Sequence, residues 1–224
     1  MAAEDLKTLG VVLRRTNYGE ADRILSIITP AGKVAAIAKG VRKARSKLAG
    51  GVEMFCLSEL QIHRGRSELG VVTSARMVRH YKGILQSYER MEAAAEILKR
   101  VSAAAEQTES AEWFEMTRQG LEALDGGADL RLVEGWFWLH FLRANGEEVN
   151  LYRDNKGEKL VADGRYNWDG AEGVFVKNAD GEYGADEIKV LRLMATADLP
   201  IVRRVKIDEK IFDKIYGIIK RWEN

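Results

Sequence analysis

The chain has 224 residues, 46% of them apolar, with 35 Lys and Arg against 34 Asp and Glu. That is enough for one large core or two small ones, and near-neutrality argues against a general polyanion binder. A single cysteine excludes an internal disulfide and a cysteine-rich zinc site. With no apolar run of 18 residues and no signal peptide, the chain is expected to be soluble and intracellular, without a membrane partner.

The first segments read as strands. Leu9–Arg14, Arg23–Thr29 and Lys33–Ala38 are rich in Val, Ile and Ala, and Asn17-Tyr18-Gly19 and Pro30-Ala31-Gly32 separate them with turn signals. After Gly40–Gly51, the residues Val52, Met54, Cys56, Leu60 and Ile62 fall on alternate positions, interrupted only by Ser58. Glu53, Glu59, Gln61 and His63 take the other face, so this segment reads as a half-buried strand. Arg64-Gly65-Arg66 then leads into Leu69–Val78. Five short strands in the first 82 residues leave no room for helical crossovers. A five-stranded Greek-key barrel of the OB type is the usual solution at this size. An SH3-like barrel has a similar strand count, and pattern alone does not separate the two.

Gly40–Gly51, G-V-R-K-A-R-S-K-L-A-G-G, is a basic loop between those strands. Lys39, Arg42, Lys43, Arg45 and Lys47 follow one another with no acidic residue among them. A charge run of this kind is often only a solvated surface. Here the balance along the chain favours a polyanion. Residues 1–82 hold 15 Lys and Arg against 7 Asp and Glu, a net of +8, and the remaining 20 and 27 give −7. Such asymmetry suggests modules with different partners. The basic face suits nucleic acid, with phosphates neutralised and bases unread. Arg14, Arg15 and Arg23 are expected to extend it. The acidic remainder is expected to meet protein.

Beyond Lys82 the period changes, giving domains of 1–82 and 83–224. Ile84, Tyr88, Met91, Ala95 and Leu98 form a helical stripe. A second helix over about Ala111–Leu124 turns Trp113, Phe114, Leu121 and Leu124 inward and stops at Asp125-Gly126-Gly127. Asp129 caps a third, with Leu130, Val133, Phe137 and Phe141 as its stripe, Trp136 and Trp138 packed off it, and Gly146 at its end. Residues 147–184 read as two small hairpins inserted between helices, built from Val149–Tyr152, Lys159–Val161, Tyr166–Trp168 and Gly173–Val176. A helix over Ala185–Ala195 follows. The last helix opens at Asp208 and carries Ile211, Ile215, Ile218 and Trp222.

The motifs of catalysis are missing. There is no phosphate-cradling glycine loop, nucleophile elbow or paired metal motif. His63, His80 and His140 stand alone and read as surface or packing residues, and Cys56 as a small core residue. Arg192, Arg203 and Arg204 read as solvated helix surface rather than DNA contacts. No residue is assigned a catalytic role, and no cofactor is expected.

Val11–Lys33, V-V-L-R-R-T-N-Y-G-E-A-D-R-I-L-S-I-I-T-P-A-G-K, then A-K-G-V-R-K-A-R-S-K-L-A-G at Ala38–Gly50 and F-C-L-S-E-L at Phe55–Leu60, resemble the N-terminal domain of the bacterial recombination-mediator family RecO. The specific parts are Tyr18-Gly19-Glu20 with Asp22-Arg23, and Lys39-Gly40 with its trailing arginines and Ser46. The resemblance implies an α+β architecture, an OB-fold barrel followed by an α-helical domain with a small inserted β-ribbon. It implies a non-enzymatic mediator, cytoplasmic and nucleoid-associated. Such a protein binds single- and double-stranded DNA, anneals complementary strands, and works with RecR and the single-strand-binding protein to help load RecA. Arg203, Arg204 and Lys206, beside Ile201 and the helix bearing Phe212, are the expected host of that binding protein's acidic, apolar-ended tail. Many family members carry a four-cysteine zinc site in the ribbon. Glu147–Lys177 has neither cysteine nor histidine, so zinc is not carried over, and Tyr152, Tyr166, Trp168 and Phe175 are expected to hold the ribbon instead. The rival readings are an RNA- or ribosome-binding OB module, with the same charges, and a hydrolase using the acidic C-terminal half.

Overall fold

The first strand alternates only up to Gly10, then runs through a buried Gly10–Leu13 into an exposed Arg14–Tyr18, and is long enough to serve two neighbours. β1 (Glu4–Tyr18) pairs with the strand after the basic loop along its first half, and with β2 (Asp22–Thr29) along its second. The register shifts between Val12 and Arg14, a bulge that bends β1 around the corner of a barrel. β3 (Gly32–Ala38), β4 (Cys56–Arg64) and β5 (Gly70–His80) complete it. The order β1-β2-β3-β5-β4 closes on itself, with β3 parallel to β5 and every other pair antiparallel. That is the OB arrangement, and the closure and parallel pair decide it over other small barrels. The computed structural model describes residues 4–65, 69–108, 110–147 and 149–221. Arg66 and Trp222, both used in the sequence reading, lie outside the described residues.

The barrel interior is filled by Val12, Leu25, Ile27, Val34, Leu60, Ile62 and Val72, one face of each strand in turn. Val11 and Ile28, partners across β1 and β2, are buried on the opposite face. There α1 (Tyr88–Ala104) and α2 (Glu112–Asp125) lie against these strands. Compactness divides the chain into Met1–Gly127 and Ala128–Asn224. The change of period near Lys82 marks the end of the barrel, while α1 and α2 belong to the same compact unit as it.

Three expectations shift. The fourth strand begins at Cys56, not Val52, because Ala49–Val52 is a 3-10 turn that brings Val52 into the core from the side. The buried stripe of α1 is Ala94, Ile97, Leu98, Val101 and Ala104, whereas Tyr88 and Ala95 are exposed. Ile84 lies before α1, in a separate 3-10 turn, so extending one helical period back through it rotated the predicted face. In α2, Trp113, Phe114, Leu121 and Leu124 are all buried, as the spacing predicts.

In the second unit, α3 (Leu130–Ala144) is capped by Asp129, whose Oδ1 accepts from Leu132 N at 3.1 Å. It is buried on nearly all sides from Gly135 to His140, and Trp136 donates its indole N–H to Ala197 O at 2.8 Å. α4 (Ala185–Thr196), a short α5 (Leu199–Val202) that the sequence reading lacks, and α6 (Glu209–Arg221) complete the helices. The insert holds one hairpin, β6 (Tyr166–Asp169) with β7 (Val174–Lys177). The segment expected to form the other hairpin makes no ladder among the described residues, only isolated bridges, Arg153 to Lys159 within it and Asp154 to Phe175 of β7. It is shaped by Asp154, whose carboxylate accepts from Lys156 N and Glu158 N, each at 2.9 Å. Phe175 is ringed edge-on by Tyr166, Trp168 and Tyr183 at centroid distances of 6.2, 5.0 and 5.9 Å. Tyr183 thus takes the place expected of Tyr152, which is exposed beneath Arg192. The insert supplies neither cysteine nor histidine, so this aromatic centre does not fit a zinc ion.

Candidate nucleic-acid interface

The basic segment between β3 and β4 is a surface loop pinned at both ends. Val41 is 2% exposed and joins the barrel core, as does Val52 at the far end. Gly40 adopts a φ of +64°, a turn most residues avoid, and its N–H donates to Asp22 Oδ1 at 2.7 Å. Arg42 N donates to Ala21 O at 2.9 Å, and Arg42 Nη1 reaches Gly19 O at 3.4 Å. The β1–β2 turn and the basic loop are therefore tied together. Further turns close within the loop, from Lys43 N to Gly40 O at 3.1 Å and from Ser46 N to Lys43 O at 3.0 Å. At Gly51 a Cβ would stand 2.5 Å from the backbone of Ala75 in β5, so only glycine lets the returning chain approach that strand.

Two anchored valines separated by polar turns leave the cations no place but solvent. Lys39, Arg42, Lys43, Arg45 and Lys47 are all exposed. None of them forms an ion pair among the described residues. Their charge is available to an outside anion.

The other three barrel candidates are placed differently. Arg15 pairs with Glu53 Oε2, and Arg23 Nη1 reaches Glu53 Oε1 at 3.1 Å and, through Nε, Asn17 Oδ1 at 3.3 Å. Two guanidinium groups thus share one carboxylate just past the loop's end. Adjacent strand residues face opposite ways. Arg14 accordingly leaves this cluster for a groove of about 380 Å³ that it lines with Leu13, Met54, Lys99, Ser102 and Glu106. The eight arginines and lysines do not form one continuous face.

Other barrel cations are neutralised by carboxylates of α1, α2 and their flanks or, for Arg76, of β4. Lys33 pairs with Glu106, holding that carboxyl below its usual range. Arg79 pairs with Glu122 and Asp125, and Arg76 with Glu59. Residues 83–127 carry 4 Lys and Arg against 9 Asp and Glu, so −5 of the net −7 expected of the C-terminal half belongs to α1, α2 and their flanks.

In the second unit, Arg203, Arg204 and Lys206 are exposed, as are Ile201 and Val205 among them. Phe212 is not part of that surface. It is 7% exposed, stacked on Tyr216 at 5.9 Å, with the Arg131 guanidinium 5.3 Å above its ring. Arg192 is held in place, donating through Nε to Leu151 O at 2.9 Å and lying 4.7 Å over the Tyr152 ring. His140 is a packing residue. Its Nε2 lies 3.1 Å from Met194 O and its Nδ1 3.0 Å from Arg143 Nη2, so Nε2 donates and Nδ1 accepts. Cys56 is buried, and burial followed by the charge of Glu53 pushes its thiol up to about 11. No group of three or more His, Cys, Asp or Glu suited to a metal occurs among the described residues. No described helix is long and apolar enough to cross a membrane.

One surface feature of the barrel went unread in the sequence. Tyr18, at the end of β1, is 56% exposed on the turn that holds the basic loop. The signal was its place in Asn17-Tyr18-Gly19, an aromatic ring inside a polar turn.

Comparison with known proteins gives one answer along the whole chain. Residues 1–81 match the family model "Recombination protein O N terminal", and residues 86–222 match "Recombination protein O C terminal". The chain is similar to the DNA repair protein RecO of Dehalococcoides mccartyi, 30% identical over 94% of this chain and 86% of that one. It is also similar to the DNA repair protein RecO of a Roseiflexus species, 34% identical over 65% of this chain and 52% of that one. A third, the DNA repair protein RecO of Rubrobacter xylanophilus, is 34% identical over 65% of this chain and 59% of that one.

Proposed function

The chain belongs to the RecO family of DNA repair proteins, and from that premise we propose that it is a non-enzymatic recombination mediator working through the β3–β4 loop. The observation that carries this reading is the set of five exposed cations, Lys39, Arg42, Lys43, Arg45 and Lys47, that lack carboxylate partners among the described residues on a loop pinned by Val41 and Val52. Each cation that meets a phosphate releases condensed counterions, which favours binding without reading sequence. Two complementary strands held in one such field repel each other less, and that promotes annealing. No bond is made or broken, so no catalytic residue is required.

The same reading places single- and double-stranded DNA on the loop. It gives the exposed Arg203, Arg204 and Lys206, around Ile201 and Val205, to the acidic, apolar-ended tail of the single-strand-binding protein. Charge complementarity supports that docking, and the basic cluster is a local exception in a unit of 16 Lys and Arg against 18 Asp and Glu. RecR is the direct partner and RecA the indirect beneficiary, in the cytoplasm at the nucleoid. A gel-shift series on single- and double-stranded DNA at several salt concentrations, with an annealing assay on complementary oligonucleotides, tests the reading. Affinity that does not fall with salt, or no acceleration of annealing, refutes it. Preference for RNA over single-stranded DNA of equal length would instead favour the RNA-binding module.

A further inference from the structure

Of the three aromatic residues in the barrel segment, Tyr81 is fully buried and Phe55 is half-buried. Tyr18 alone presents its ring to solvent, at 56% exposure, with no hydrogen-bond or ring partner among the described residues. An exposed ring in a turn costs hydration without any packing return. This one occupies a fixed place. Tyr18 pairs with Asp22 in the β1–β2 ladder, and Asp22 Oδ1 accepts from Gly40 N at 2.7 Å. The next residue, Gly19, offers its carbonyl to Arg42 Nη1 at 3.4 Å. The ring therefore stands at the base of the loop whose cations are free, within the frame that orients Arg42. Glu20, two residues on, is exposed as well, so the turn itself carries no attraction for phosphate.

We propose that Tyr18 is a base-stacking residue, taking the face of one unpaired base while the adjacent loop holds that strand's phosphates. This rests on the reading of the loop as the DNA-binding element and adds to it a preference for single strands. Every base offers a π-face, so stacking is indifferent to sequence, but a paired base within a duplex cannot offer its face to a side chain. Charge on the loop attracts any polyphosphate; the ring distinguishes the form in which bases are free.

The test uses the full chain and three ligands of equal length: oligothymidylate, an abasic deoxyribose-phosphate strand and a blunt duplex. Tyr18→Ala is expected to weaken oligothymidylate binding about tenfold, the range of one lost aromatic–base stack. Binding of the abasic strand and the duplex, and the salt slope, should stay as in the parent, and Tyr18→Phe should bind all three as the parent does. Equal losses on all three ligands would mean that the ring only supports the turn, and would overturn the proposal. So would an unchanged affinity for oligothymidylate, or Tyr18→Phe behaving like Tyr18→Ala, which would assign the effect to the hydroxyl. The Arg42/Lys43/Arg45/Lys47→Ala variant run in parallel separates the two levels. If it binds all ligands like the parent, the loop reading fails; if it weakens all of them while Tyr18→Ala weakens none, only the stacking proposal fails.

Discussion

The β3–β4 loop and the mouth formed where β1 and β2 bring Arg15 and Arg23 to Glu53, just past the loop's end, both carry cations, yet only the loop offers its charge outward. In the loop, Lys39, Arg42, Lys43, Arg45 and Lys47 face solvent without carboxylate partners among the described residues. At the mouth, Arg15 and Arg23 close on Glu53. A net charge of +8 over residues 1–82 counts both alike. What separates them is one glutamate, placed by the 3-10 turn of Ala49–Val52 where two strands bring their arginines together. Available charge is thus a property of placement, not of composition.

Changing Arg42, Lys43, Arg45 and Lys47 together to Ala should lower DNA affinity by roughly two to three orders of magnitude at physiological salt, and flatten the log–log salt slope by about three to four. Fluorescence anisotropy across a salt series measures both, and an unchanged slope would remove the loop from the interface. Unfolding should be hardly affected, since none of the four packs into the core.

Val41→Ala sharpens the contrast by altering the loop's anchor and none of its charge. Removing this buried side chain should cost about 2 kcal/mol of stability, read from the urea midpoint. The salt slope should hold, because no cation is lost.

Glu53→Gln tests the mouth. Releasing Arg15 and Arg23 from their shared carboxylate should raise DNA affinity by about fivefold and steepen the salt slope by about one. A fall in affinity would mean that Glu53 orders the interface rather than quenching it. The same substitution removes a charge that raises the Cys56 thiol. Because burial and Glu53 push that thiol from 9.0 up to about 11, the folded state favours its neutral form. The resulting stabilisation is complete below pH 9 and lost as the pH rises toward 11. Native Cys56 should therefore resist alkylation at pH 8, react readily once unfolded, and react somewhat faster in Glu53→Gln.

The smallest effect belongs to the insert. Chelator should leave the melting temperature unchanged and elemental analysis should find no stoichiometric zinc, since the insert has neither cysteine nor histidine and packs Tyr166, Trp168 and Tyr183 around Phe175. About one zinc per chain would refute this.

Local order was legible because it follows from patterns of period two and near four. The strands from β1 to β5, the four inward residues of α2 and the Asp129 cap all follow from side chains a few positions apart. Errors arose where a period was carried across a break, as from Ile84 into α1, or where short apolar pieces that meet in one bridge rather than a ladder were read as a hairpin, as around Arg153 and Lys159. The basic loop was legible as well, because five cations without an intervening acid are visible in any order of reading.

By itself the sequence determined the barrel, the helical remainder, the family and the loop on which charge gathers, since each is written in neighbouring residues. Only the tertiary structure decided which charges remain available. Glu53 meets Arg15 across 38 positions and Arg79 meets Glu122 across 43, and Tyr183 rather than Tyr152 completes the ring around Phe175. The reason is physical. Ion pairs and ring contacts act over a few ångströms, and the chain sets those distances only after its strands and helices have packed.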